Sequence, residues 1–253
     1  MIRSKIIIIL SVLPFLYFAQ VKRQYAEHNH GWYMFFGTFK FSEKIGLHTE
    51  AQWRRSNFIL DNQQLLLRTG LNFHFNKQVV ATAGYCFVQT HPYGEFPSKI
   101  MFPEHRIWEQ LQFTSRFGKL EMVNRFRLEQ RYVYPPVLKD GKYIVGSDVY
   151  TNRFRLLTRF SIPFKGQTIE DKTFYITAYE EFFINFGENV AYNIYDQNRA
   201  YIALGYKVPK LGKVELGYLN QLVFKSNGIQ VENNHTLQFS ITTSLNLYKK
   251  KES

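Results

Sequence analysis

From Gly31 onward the chain alternates apolar and polar residues with a period of two. Ile45, Leu47, Thr49, Ala51 and Trp53 interleave with Gly46, His48, Glu50, Gln52 and Arg54. Leu65, Leu67, Thr69, Leu71 and Phe73 interleave with Gln64, Leu66, Arg68, Gly70 and Asn72, and the stretch from Leu237 to Leu247 repeats the pattern. Successive residues of a strand point to opposite faces, so each segment carries one apolar and one polar face. The pattern predicts strands over 31–41, 44–55, 63–75, 78–89, 104–117, 119–132, 149–162, 172–187, 197–208, 212–224 and 234–247.

Most of these strands span about eleven to fourteen residues, roughly twice the ~5–6 of soluble sheets. A tilted strand that crosses a bilayer needs about nine to eleven. The connections alternate in size: short at Ser42–Glu43, Asn76–Lys77, Gly118 and Pro209–Leu211, longer over 56–62, 90–103, 133–148, 188–196 and 225–233. Short periplasmic turns and longer outer loops are the usual asymmetry of an outer-membrane barrel, and only 163–171 breaks it. The fold class expected is all-β, a transmembrane antiparallel up-and-down barrel. Bacterial single-chain barrels use even strand numbers, so 20–30 is read as an N-terminal segment or weak first strand, and the expected count is about 10–12.

Alternation alone does not say which face is buried. Three features favour lipid outside: the strand length, aromatics near strand ends, and the character of the polar face. Trp32, Tyr33, Trp53, Phe75, Trp108, Tyr132, Tyr150, Phe164, Phe186, Tyr206 and Tyr248 fit girdles at headgroup level. The polar face sets arginines beside Gly70, Gly84, Gly205 and Gly217, which suits a packed and curved lumen. Glu109 and Glu180 fall on the parity assigned to lipid; a position near a strand end, or a bulge that shifts parity, would accommodate them.

Composition agrees. Aromatics make up 17% of the 253 residues, yet mean hydropathy is −0.29, so apolar and polar residues must be finely interleaved. Arg3 and Lys5 followed by the apolar stretch Ile6–Ala19 read as a secretory signal over 1–19, too short to span a bilayer as a helix. The barrel then occupies 31–253, and the cell outer membrane is the expected location. The lone Cys86 cannot form an intramolecular disulfide and lies far from the signal junction, which excludes a lipid-anchored lipoprotein. The net charge of +12 falls by two when Arg3 and Lys5 leave. Such a basic surface points to anionic headgroups, here lipid A phosphates, as partners rather than nucleic acid. A monomer is expected.

The segments Glu104–Leu111 (EHRIWEQL), Asn124–Tyr132 (NRFRLEQRY), Asn152–Phe160 (NRFRLLTRF), Tyr179–Gly187 (YEEFFINFG) and Asp196–Lys207 (DQNRAYIALGYK) carry a resemblance. From about Trp32 onward the chain resembles an uncharacterised family of Bacteroidota outer-membrane proteins catalogued only as a domain of unknown function. The resemblance implies an outer-membrane barrel with no established activity, so no catalytic residue is carried over. One departure from barrel habit is the end, where Lys249–Ser253 replaces a terminal aromatic.

The strongest candidate chemistry is a pair of arginine ladders. Arg125, Arg127 and Arg131 share a strand face with Glu121 and Glu129, and Arg153, Arg155 and Arg159 share a face of the next strand; Asn-Arg-Phe-Arg occurs in both. If the two strands pair across 133–148, six guanidiniums project into one sector of the lumen and need partners there. Glu50, Glu129, Glu181 and Glu215 have the parity to supply them. One reading is a salt-bridge network that fills and stiffens a narrow barrel; the other is a narrow, porin-like pore that attracts small anions. A rim-located lipid-modifying enzyme is the alternative of another class. It would need a Ser–His pair, whereas His48, His74, His105 and His235 are scattered and no Gly-x-Ser-x-Gly motif accompanies them. Glu27, His28 and His30 have spacing a metal could use but no evident scaffold. No cofactor, metal or catalytic residue is expected.

Overall fold

The computed structural model describes residues 22–248, so the signal sequence read over 1–19 and the lysine-rich tail after Tyr248 lie outside the described residues. In chain order the strands are β1 (Gln24–Lys40), β2 (Ile45–Ser56), β3 (Asp61–His74), β4 (Val79–Thr90), β5 (Phe102–Phe117), β6 (Leu120–Val133), β7 (Pro136–Lys139), β8 (Lys142–Val145), β9 (Val149–Pro163), β10 (Phe174–Phe186), β11 (Tyr195–Val208), β12 (Gly212–Phe224) and β13 (Gln230–Asn246). Eleven of them close into one barrel in sequential order, and β7–β8 form a separate hairpin within the β6–β9 connection. The described residues contain no helix.

The eleven long segments read from alternation are the eleven barrel strands. The expectation of a purely antiparallel barrel needs one correction. Residues 24–30 lengthen β1 rather than adding a twelfth strand, and β1 pairs with β13 in parallel from Gln24↔Gln230 to Lys40↔Asn246. The reason is arithmetic: with an odd number of up-and-down strands, the first and last run in the same direction, so the closing seam must be parallel. Both therefore begin at the end bearing the longer loops and finish at the end bearing the tight turns.

The distribution of side chains is inside-out relative to a soluble core. Among the described residues, glycine aside, fourteen apolar and twenty-eight polar or charged residues are buried, while Leu71, Leu204 and Leu216 on the outer wall are more than half exposed. Two bulges, beside Arg54/Arg55 and Phe183/Ile184, lie toward the loop end. Neither shifts the parity of Glu109 or Glu180. Both carboxylates sit mid-strand on the outer wall, so the strand-end and bulge explanations fail. Each is instead met by a neighbouring outward amide: Gln130 donates to Glu109 at 3.1 Å, and Asn198 donates to Glu180. A charge-assisted hydrogen bond lowers the cost of a carboxylate in an apolar setting.

The aromatic girdle also needs correcting. Tyr33, Trp53, Phe75, Tyr132, Tyr150, Phe164, Phe186 and Tyr206 do face outward, but Trp32 and Trp108 are buried inside the barrel. Their own parity puts them there. Each anchors a small apolar island on the inner wall: Trp32 with Met34, Tyr201, Ala203 and Leu219, and Trp108 with Leu66, Val88 and the free thiol of Cys86.

Candidate functional site

The two Asn-Arg-Phe-Arg strands pair as their repetition suggests. β6 and β9 run antiparallel with Glu129 opposite Arg153 and Arg127 opposite Arg155. Opposite charges across a strand pair attract and like charges repel, so the register creates one favourable and one unfavourable pair. The rest of the interior is arranged around that fact.

Glu129 is the hub. It is fully buried, and four guanidiniums from three strands converge on it: Arg153 at 2.6 Å, Arg155 at 2.8 Å, Arg68 at 3.2 Å and Arg106 at 3.8 Å. From there the network branches. Arg68 reaches Glu50 at 2.6 Å, Arg155 reaches Glu181 at 2.7 Å, and Arg153 reaches Asp196 at 2.7 Å. Glu181 also takes Arg125 at 2.6 Å, and Glu104 is shared by Arg106 (2.6 Å) and Arg131 (2.5 Å). Nearer the turn end, Arg159 pairs with Glu215, which also accepts the Tyr175 hydroxyl at 2.6 Å. Planar guanidiniums with several donors suit such shared carboxylates better than a point-charge ammonium would.

All six ladder arginines and all four carboxylates named as their partners from the sequence thus face the interior, and five of the six arginines find a carboxylate. Arg127 does not. Its Nε and Nη2 donate to the amide oxygen of Gln110 at 3.0 and 2.6 Å, and its guanidinium carbon lies 4.8 Å from the Trp108 ring. The expectation that parity-matched carboxylates partner all six ladder arginines therefore fails at Arg127: the opposed Arg155 takes both Glu129 and Glu181. Sequence reasoning missed Arg54, Arg68, Arg106, Arg199, Glu104 and Asp196, which complete the network. Each has interior parity, but Arg54, Arg68 and Arg199 are each the single arginine on their strand's inner face, so no ladder drew attention to them. Because Arg127 holds no carboxylate, Arg127→Gln should strand no buried anion. We expect its heat-modification midpoint to stay within about 1 kcal/mol of wild type, the lost cation–π contact offsetting relief of the Arg155 repulsion. A urea titration of the two proteins checks this.

The network partitions the interior. A chamber of about 200 Å³ lies toward the loop end and one of about 380 Å³ toward the turn end; Gln52, Arg155 and Arg199 line both and form part of the layer between them. The β4–β5 loop folds over the loop-end mouth, where Tyr93 hydrogen-bonds Glu232 at 3.3 Å and the Glu95 amide donates to His28 Nε2 at 2.9 Å. Burial, reinforced by the Glu232 carboxylate, pushes the Tyr93 phenol above its ordinary range.

The histidines considered for catalysis do not converge. His48 and His74 line the turn-end chamber, His48 lying 3.4 Å from Glu50. His105 and His235 are on the outer wall, hydrogen-bonded to the hydroxyls of Tyr85 (2.5 Å) and Tyr218 (2.6 Å). Among the described residues none of the four hydrogen-bonds a serine. The possible metal set is divided by alternation: His28 and His30 stack inside at 5.9 Å, while Glu27 is exposed on the opposite face.

No curated protein and no solved structure matches this chain. A family model does match, over residues 29–232, a span that includes every member of the interior charge network. By that match the chain belongs to the family described as Protein of unknown function (DUF2490).

Proposed function

We propose that this protein is an integral outer-membrane β-barrel whose lumen is sealed by its arginine–carboxylate network, so that the network maintains the barrel and does not line a standing open pore. The observation that carries the membrane reading is the inverted wall: large apolar side chains outside, and a buried interior with twice as many polar and charged residues as apolar ones. In water that arrangement would leave a broad apolar surface exposed and pay for burying charge as well; in a bilayer the outer wall is solvated by lipid. Strands of 12 to 17 residues support the same reading, because they exceed what a soluble sheet needs. The sealed lumen is supported by the hub at Glu129, which ties β3, β5, β6 and β9 together across the interior. Cross-barrel ion pairs of this kind resist flattening of a wide sheet.

Expressed with its leader in a Gram-negative host, the protein should fractionate with outer membranes, resist carbonate extraction and migrate faster on denaturing gels when unboiled. Reconstituted in planar bilayers, it should give no steady conductance. Recovery as a soluble periplasmic species would overturn the membrane placement; a steady anion-selective current would replace the seal with a pore.

A further inference from the structure

Two buried guanidiniums at the loop-end chamber have no carboxylate of their own. Arg54 donates Nε to Gln52 at 2.9 Å and Nη1 to Gln64 at 2.6 Å, and makes no ion pair among the described residues. Arg199 donates Nη2 to Gln197 at 3.2 Å, and its buried Nε has no partner among the described residues. Its nearest carboxylate, Glu181, is 3.8 Å away and already engaged at its other oxygen by Arg125 and Arg155. Both residues are more than nine-tenths buried, and their guanidiniums lie over the indole of Trp32 at 4.0 and 5.0 Å.

The charge balance of the chamber says what would complete it. Seven arginines line it. Glu50, Glu104, Glu129, Glu181 and Asp196 are the carboxylates within ion-pair distance of any of them. Glu181 also serves Arg125 outside the chamber, so cations outnumber these five anions among the described residues, and the two arginines left without a carboxylate closer than 3.8 Å, Arg54 and Arg199, border the same cavity. Buried unpaired charge is costly, so the site is poised for a mobile anion of matching charge. Guanidinium forks match the oxygens of phosphate, and the glutamine-rich wall (Gln52, Gln63, Gln64, Gln197 and Gln221) offers amides to oxygen atoms or hydroxyls around it.

We propose that the loop-end chamber binds a phosphate dianion, free or as the phosphate group of a small soluble phosphomonoester, between Arg54 and Arg199. The proposal uses the interior geometry alone and is read on detergent-purified barrel, so its failure is distinct from failure of the membrane placement, which fractionation decides. Inorganic phosphate and glucose 6-phosphate are titrated separately by calorimetry. One saturable site per barrel is expected, together with a thermal midpoint that rises with ligand concentration. Tighter binding of glucose 6-phosphate would identify the monoester as the preferred source, and equal or weaker binding would identify free phosphate. Arg54→Gln and Arg199→Gln should each lower affinity by about tenfold or more, as loss of charged hydrogen bonds implies. Both should keep the heat-modifiable gel shift, since neither removes a carboxylate's sole partner. Arg116→Gln, which alters an exposed pair with Glu121 at the β5–β6 turn, should bind as wild type does. Absence of binding and of thermal stabilisation in the wild type would overturn the proposal. So would folded Arg54→Gln and Arg199→Gln proteins that retain wild-type affinity; if either variant fails to fold, the wild-type titration and midpoint shift still decide.

Discussion

Glu129→Gln should be the most damaging single change in the charge network. The substitution keeps the side chain's shape, so its effect is electrostatic: four guanidiniums lose their common anion at a fully buried position. Removing one member of a buried ion pair typically costs about 3–5 kcal/mol, and here the remaining Glu50, Glu104, Glu181 and Asp196 must share the stranded cations. The expected result is a heat-modification midpoint lowered by at least that amount in urea, or no folded species at all. A midpoint within about 1 kcal/mol of wild type would mean that water screens the hub and that the interior is not sealed. The contrast with Arg127→Gln is the informative comparison. Both are interior charge removals on one strand, two residues apart, yet one removes the hub and the other removes a cation that the hub never held.

The second large effect is steric. Gly84 on β4 faces Gly70 on β3 on one side and Trp108 on β5 on the other. A Cβ at Gly84 would lie 2.1 Å from the carbonyl oxygen of Thr69 and 2.5 Å from the Cα of Gly70. These are backbone atoms, so relief requires the strands to separate. Trp108 would move with them, and it packs against the guanidiniums of both Arg68 and Arg127. Gly84→Val should therefore exceed the ~1–3 kcal/mol of ordinary overpacking and yield no heat-modifiable form. Gly118→Ala is the matched control. Its turn has open space around the added methyl, leaving only the cost of a positive φ of 58°, about 1–2 kcal/mol. Equal behaviour of the two variants would show that the Gly70–Gly84 contact does not limit barrel closure.

The outer wall is not uniformly apolar. Glu109 and Glu180 stand mid-strand on that wall, each with a donated amide hydrogen bond. Around Glu180 the polar positions continue, Thr158 facing it across β9 and Asn124 accepting from Thr158 at 2.8 Å. Polar groups in a low-dielectric setting are tolerated when they satisfy one another, and these do so in pairs within the sheet.

The sequence by itself determined the strands. A period of two, sustained over segments long enough to cross a bilayer, assigned each side chain to one of two faces, and that parity placed the six ladder arginines and their four carboxylates on one surface. It also contained the correct positions of Trp32 and Trp108, although their nearness to strand ends suggested a girdle. What parity cannot contain is distance across a lumen. Which carboxylate meets which arginine depends on the relative height of strands far apart in the chain, which follows from barrel closure and register. Only the tertiary structure could therefore decide that Glu129 gathers Arg68 and Arg106 from β3 and β5, and that Arg127, two residues from that hub, is left with Gln110. The parallel seam of β1 and β13 was decided in the same way: local patterning sets the direction of each strand relative to the next, but closure joins the first to the last, and an odd count leaves them no antiparallel choice.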